Sequence, residues 1–277
     1  MSSADSKLTS KLGKLLVSMT HLHHPTAIID PAAELDRDVE VGPYSIVGAG
    51  VKIGKGSKIH PHVVIQGRTT LGEGNVIFPF ATVGSQPQDL KYKGEPSELI
   101  VGNRNTIREY ASLNPGTSGG GMATRVGDQN LLMMSCHIAH DCIVGSRNVI
   151  ANGATLGGHV VIEDFVIVGG LVGIHQFVRI GAGALLGAGS MVSMDVPPYC
   201  NATGDRAKLC GLNAEGLRRR GFAKTVIDAI HKAYRIAFQS KLKIEDALAK
   251  IRQDLPGIPE VEQFVSFIAE SRRGVCR

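Results

Sequence analysis

The chain has 277 residues with 34 Gly, 12 Pro, no Trp and a formal charge of +5. Glycine at this level without a G-X-Y period excludes collagen, and 43% hydrophobic against 20% charged residues excludes wholesale disorder. Aromatics at 5% are few for a conventional core, so something other than large rings must fill the interior.

The basic balance suits acidic partners such as nucleotides, phosphates or an acidic carrier protein. No apolar run is long enough for a membrane span, and no secretory h-region opens the chain. Five cysteines without a CxxC pair read as reduced thiols in a cytoplasmic protein, not as a disulfide framework or zinc site. Residues 1–19 stand apart. Leu8, Leu12, Leu15 and Met19 share a helical face beside Lys7, Lys11 and Lys14, which suits a membrane-surface helix or a transit peptide, but the stretch is short and lacks Arg; the favoured reading is a non-essential extension, with Met19 as an alternative start.

A six-residue period then begins. Every sixth residue from Ile29 is a branched aliphatic through Leu35, Val41, Val47, Ile53, Ile59, Ile65, Leu71, Ile77 and Val83. The series breaks, resumes at Val101, Ile107 and Leu113, and after a slip runs from Val126 to Val192 without a miss. Two residues before the aliphatics sit small or β-branched side chains such as Ser45, Thr69, Ala81, Cys136 and Cys142. A six-residue unit is a short strand plus a turn; three units close a triangular coil of 18 residues, and stacked coils make a left-handed parallel β-helix whose thin interior takes one aliphatic per side. Many aliphatics are followed by Gly, for example Gly42, Gly54, Gly84 and Gly102, which we expect at corners needing positive φ. The prism is expected over 20–205, with loops expelled at 85–100 and 114–125 and the repeat ending at Pro197-Pro198. A helical pattern follows, Ile227/Ile230/Tyr234/Phe238, then Ile244/Leu248/Ile251/Leu255, then Val261/Phe264/Ile268, giving a small C-terminal α-helical domain over 206–277.

In such a coil residues 18 apart lie above one another. His140 falls beneath Gly158 and Gly158 beneath Gln176, while Asp141 falls beneath His159, with His137 and His175 at the same corner. A lone surface His is usually only solvated; four at one corner read as a site. A His beside a carboxylate can act as a general base, and the Gly158 N–H can face an oxyanion. Clustered imidazoles can equally hold Zn²⁺. The pattern G-x-S-x-G at 116–120 lies in a solenoid loop, not on the strand-to-helix turn a nucleophile elbow requires, and the glycines of 181–189 follow the hexads and are no dinucleotide fingerprint. Arg218-Arg219-Arg220 is either a solvated helix face or a phosphate contact.

HPTAI (His24 to Ile28), QDLKYKGEP (Gln88 to Pro96), NLLM (Asn130 to Met133), HIAHDC (His137 to Cys142), HQF (His175 to Phe177), DVPPY (Asp195 to Tyr199) and N-x-EGLxRRGF (Asn213 to Phe222) closely resemble the cytoplasmic UDP-N-acetylglucosamine 3-O-acyltransferases that begin lipid A synthesis. The likeness runs from His24 to Arg277. It implies a homotrimer that moves an (R)-3-hydroxyacyl group from acyl carrier protein to the sugar 3-hydroxyl, with no cofactor, metal or nucleic-acid partner. In that family's terms His140 is the general base, Asp141 its partner and Gly158 the oxyanion donor. Similarity puts Asp89, Lys91, His137, His159, Gln176, Asn213, Glu215, Arg219 and Arg220 in the nucleotide-sugar site between subunits, and Ala188 at a position that can limit acyl length. Where many members read IHRGT this chain reads Leu113-Asn114-Pro115-Gly116-Thr117, which opens the choice between a 3-hydroxyl and a 3-amino acceptor. The competing readings are a metal-dependent trimer of the carbonic-anhydrase type and a non-catalytic scaffold. The related N-acyltransferases carry an extra N-terminal domain for which a prism starting near residue 24 leaves no room.

Overall fold

The computed structural model describes residues 22–277. The expected extension over 1–19 lies outside the described residues. From Ile28 onward two-residue strands alternate with turns and stack into a left-handed parallel β-helix with three faces, of nine, eight and ten strands. We call these faces 1, 2 and 3; they begin at Ile28–Ile29, Glu34–Leu35 and Glu40–Val41.

The hexad aliphatics point inward and are sealed; Ile65, Ile77, Val83, Leu113, Ile138 and Leu156 are all 0% exposed. The residue before each points out, as strand geometry requires, and the one before that points in again. Ser45, Thr69, Ala81, Cys136 and Cys142 occupy that second inward position, fully buried. Burial pushes the Cys136 and Cys142 thiols up to about 12, consistent with packing residues. In the second half of the prism the coil length is 18, since Ile138 pairs with Leu156 and Val144 with Ile162. The two insertions are absorbed without breaking the stack: Val83 pairs with Leu113, and Leu113 with Ile138. Both loops are shorter than expected. Glu98–Val101 and Ala123–Val126 are four-residue strands of face 2, leaving 84–97 and 114–122 outside the prism.

The glycines after the aliphatics have a different role from the one expected. Among the examples above only Gly84 has positive φ; at Gly42 a β-carbon would fall 2.8 Å from Pro61 N, and at Gly54 2.8 Å from the Gly72 carbonyl carbon. They are small because the neighbouring coil passes close. The positive φ falls two residues later, mostly on non-glycine side chains such as Asp141 (+60°), His159 (+62°), Phe165 (+59°) and Phe177 (+64°). Each costs roughly 1 kcal/mol in isolation and is held by the coils above and below.

The prism also outlasts its repeat. Cys200–Thr203 continues face 3, and Lys208–Leu212 pairs antiparallel with it, so the first residues assigned to the helical domain belong to the sheet. Beyond lie α1 (Ala214–Arg219), α2 (Lys224–Gln239), α3 (Ile244–Asp254) and α4 (Pro259–Ala269). Ile230, Leu248, Ile251, Phe264 and Ile268 form their shared core, on the apolar spacing read from sequence. The tail returns to the prism, where Val275 bridges Asp195.

Candidate active site

His140 follows the inward Ile138 by two residues and stands at the corner between faces 1 and 2. Asp141 comes next in the left-handed conformation, which turns its carboxylate back under the imidazole. The His140 Nδ1–H donates to Asp141 Oδ2 at 2.8 Å, and both side chains are almost sealed from solvent, 9% and 0% exposed. With its proton held at Nδ1, the imidazole has a lone pair free at Nε2. The edge carrying Nε2 lies against Gly158: a β-carbon there would fall 2.6 Å from Nε2 and 2.5 Å from Cε1. The stacking inferred from an 18-residue coil is therefore correct at this corner.

The Gly158 N–H has no hydrogen-bond partner among the described residues. At the equivalent turn between faces 2 and 3 such N–H groups are capped by the side chain one coil above: Asn103 N donates to Asp128, Asp128 N to Ser146 and Ser146 N to Asp164. No such cap closes Gly158, although Gln176 stands one coil higher and is exposed. A backbone donor with no partner among the described residues therefore sits beside the His140 imidazole.

Three residues from the second loop and the strand after it complete the pair, and the sequence reading missed them. The Thr117 N–H donates to Asp141 Oδ1 at 2.9 Å and its hydroxyl to Oδ2 at 2.6 Å; Thr124 Oγ1 accepts the Asp141 N–H at 2.7 Å. Gly120 packs against the carboxylate so closely that any β-carbon would collide with it. Gly120 of the G-x-S-x-G pattern thus serves close approach to a carboxylate, and Gly116 close approach to the Met122–Ala123 backbone.

Around this centre, His159 stacks on Phe177 at 4.3 Å between centroids and meets His140 edge-on, with its Nε2 3.9 Å from Asp141 Oδ2. Burial lowers its pKa from the usual 6.5, against the pull of Asp141, and the charges of Asp89 and Lys91 on the first loop reach it. His137 pairs with Ser112 Oγ at 2.7 Å; burial, then the nearby His140, lowers its pKa too. Both shifts favour the neutral imidazole. His175, expected in this group, makes its contacts with other residues: its Nδ1 lies 3.3 Å from Arg273 Nη2 and 3.1 Å from the Gln176 carbonyl. The buried Asn114 donates through Nδ2 to the Ser85 carbonyl at 2.9 Å, tying the two loops, and its Oδ1 has no partner among the described residues. A cavity of about 410 Å³ opens alongside, lined by Arg68, Tyr92, Glu95 and Pro115.

His140, Asp141 and His159 bring potential metal-ligand atoms within 4.8 Å of one another. The Asp141 oxygens, however, already accept three hydrogens, two from Thr117 and one from His140, which is an arrangement that orients an imidazole.

The remaining expected residues lie elsewhere on the same chain. Arg220 sits over Phe165 at 4.0 Å and Phe222 at 4.9 Å, and Phe165 belongs to the corner between faces 2 and 3. Burial lowers the Arg220 pKa, and its Nη1 has no partner among the described residues. Asn213 is buried, caps α1 by accepting from Gly216 N at 3.0 Å, and donates to the Gly183 carbonyl at 3.0 Å. Glu215 pairs with Arg218 at 2.7 Å and Arg219 at 3.0 Å, all on the surface. Ala188 is exposed at the turn from face 3 to face 1, on the opposite edge of face 1 from His140. A single chain thus joins His140, Asp141, Gly158 and His159 but not the α1 residues or Ala188.

Two family profiles match: one described as Udp N-acetylglucosamine O-acyltransferase, Domain 2, over residues 195–276, and one as bacterial transferase hexapeptide (six repeats) over 32–67 and 123–158. Among similar curated proteins, the acyl-(acyl-carrier-protein)–UDP-N-acetylglucosamine O-acyltransferase of Myxococcus xanthus is 55% identical, and that of Thermodesulfovibrio yellowstonii 51%, each over 92% of this chain and 98% of its own. The solved structure of LpxA from Acinetobacter baumannii superposes with a TM-score of 0.90 at 47% identity, covering 92% of this chain and all of the other. These relatives set aside the carbonic-anhydrase and scaffold readings. The chain belongs to the acyl-(acyl-carrier-protein)–UDP-N-acetylglucosamine O-acyltransferase family.

Proposed function

We propose that this enzyme transfers an (R)-3-hydroxyacyl group from the thioester of acyl carrier protein to the 3-position of UDP-N-acetylglucosamine, as the opening step of lipid A synthesis in the cytoplasm. The observation that carries this reading is the buried Asp141–His140 pair with an uncapped Gly158 N–H against its free edge. A sugar hydroxyl has a pKa far above 7, so it must lose its proton as it attacks. His140 Nε2 takes that proton, Asp141 stabilises the imidazolium, and the Gly158 N–H donates to the oxygen that becomes negative as the thioester carbon turns tetrahedral. Collapse breaks the C–S bond, and the leaving thiolate receives the proton from His140. Every step uses groups of the chain and the two substrates, with no cofactor.

His137, His159, Gln176, Asp89 and Lys91 flank the base and serve the sugar and its phosphates. Arg219, Arg220, Asn213 and Glu215, on another part of the chain, serve the site of a neighbouring chain, so the active assembly is a homotrimer. The outward residues Leu131, Val149, Ile167 and Leu185 of face 3 support this, since they present an apolar stripe that another copy can cover. Ala188 bounds the acyl groove and Asn114 the acceptor pocket. The test is an acyl-transfer assay offering hydroxyacyl carrier proteins of graded length to the 3-hydroxyl and 3-amino forms of the UDP-sugar, with the product bond located by NMR. Transfer to the 3-position from one preferred chain length is expected; no transfer to either acceptor would overturn the reading.

A further inference from the structure

We infer that the second expelled loop is a positioning device for the base, and that Thr117 is the residue through which it acts. This rests on the reading of His140 as general base and deepens it.

Asp141 has two imidazoles within reach of one oxygen. Oδ2 accepts from His140 at 2.8 Å and lies 3.9 Å from His159 Nε2, so rotation of the carboxylate would weaken its hold on Nδ1 of His140. Thr117 removes that freedom. Its backbone N–H engages Oδ1 and its hydroxyl Oδ2, fixing both oxygens and hence the plane of the carboxylate. The two bonds act on a carboxylate with no solvent exposure, where water cannot substitute for a missing donor.

The loop is built to deliver this residue. The Thr117 carbonyl accepts from both Gly120 N at 3.1 Å and Met122 N at 3.0 Å, closing a tight turn, and Gly116 N is tied to the Glu98 carbonyl at 3.1 Å. Gly120 supplies the missing side chain that lets the turn close on Asp141. The next residue is anchored from the other loop: Ser118 N donates to Glu95 Oε1 at 2.9 Å, and Lys93 N to Glu95 Oε2 at 2.8 Å. A continuous series of contacts therefore links the first loop, which carries Asp89 and Lys91, through Glu95 and Ser118 to Thr117, Asp141 and His140. Thr117 touches no reacting atom in this scheme. It acts through Asp141, and its effect must vanish when Asp141 can no longer serve.

The experiment is a double-mutant cycle on the full-length enzyme, with Thr117→Val and Thr117→Ser made in wild-type and Asp141→Asn backgrounds. Steady-state transfer kinetics and the low-field Nδ1–H proton resonance of His140 are both recorded. Thr117→Val should lower kcat by about 10- to 100-fold with KM changed by less than about threefold, and Thr117→Ser should restore kcat to within about threefold. On the Asp141→Asn background Thr117→Val should cost less than about threefold. The His140 resonance should persist in Thr117→Ser and shift or vanish in Thr117→Val. Wild-type kcat in Thr117→Val, equal losses on both backgrounds, or an unchanged resonance would each overturn the inference. Should Thr117→Val fail to fold, Thr117→Ala is measured in the same way. The resonance does not depend on turnover, so failure of this inference stays distinguishable from failure of the transferase reading, which would appear as an inactive wild-type enzyme.

Discussion

The catalysis proposed at this corner depends on one absent side chain. Gly158 faces the working edge of His140 at a distance no β-carbon tolerates, and its backbone N–H is left uncapped where the turn between faces 2 and 3 caps its own. Gly158→Ala should therefore push the imidazole off Asp141 and lower kcat by at least about a hundredfold, within the range general-base help supplies. The variant should keep its far-UV circular dichroism, since φ at this position is not left-handed. Turnover within threefold of wild type would show that the imidazole is not held against this glycine. The juxtaposition of His140, Asp141 and Gly158 was legible in the sequence because a fixed coil length turns spacing into stacking. Thr117 was not, because the insertion that carries it has no register with the coil below. Its motif suggested a nucleophile elbow, and neither rejecting that chemistry nor counting residues pointed to a carboxylate clamp. His175 was drawn into the site by spacing alone, and its ring contacts Arg273.

At the scale of elements, one face carries a polar spine where the others are apolar or small. Asn75, Asn105, Asn130 and Asn148 fill the second inward position of face 3, at most 2% exposed. Each Oδ1 accepts the backbone N–H one coil higher: Asn105 N donates to Asn75 at 2.9 Å, Asn130 N to Asn105 at 2.9 Å, Asn148 N to Asn130 at 2.8 Å and Val166 N to Asn148 at 2.7 Å. Asn105→Ala strands a buried N–H and should cost about 1–3 kcal/mol, read as a lower midpoint in urea or heat. Glu34→Ala, which removes an ion pair with Lys52 between side chains 68% and 58% exposed, should shift stability by less than about 0.5 kcal/mol. If the two variants unfold alike, the spine does not hold the coils. Strand positions were readable almost to the residue, since each inward aliphatic marks one. The corner chemistry was not: the glycines answer to the neighbouring coil, and the strained φ falls on side chains that carry no compositional mark.

For the whole molecule, the prism places its chemistry on one edge and its cationic C-terminal residues on another. The base stands between faces 1 and 2; Arg220 rests on Phe165 between faces 2 and 3, its guanidinium half-buried and one nitrogen unpaired among the described residues. Sequence stacking cannot join these groups, because it relates residues along an edge and not between chains. The expectation that they meet between chains came from the resemblance of the EGLxRRGF segment, not from periodicity. The boundary between prism and cap was likewise blurred, since Lys208–Leu212 breaks the hexad yet still pairs with the sheet. The account as a whole turns on His140 as the proton acceptor. The turnover of His140→Ala in the acyl-transfer assay tests that most directly: a loss of at least a hundredfold with the assembly intact is the predicted result, and near-normal turnover would contradict it.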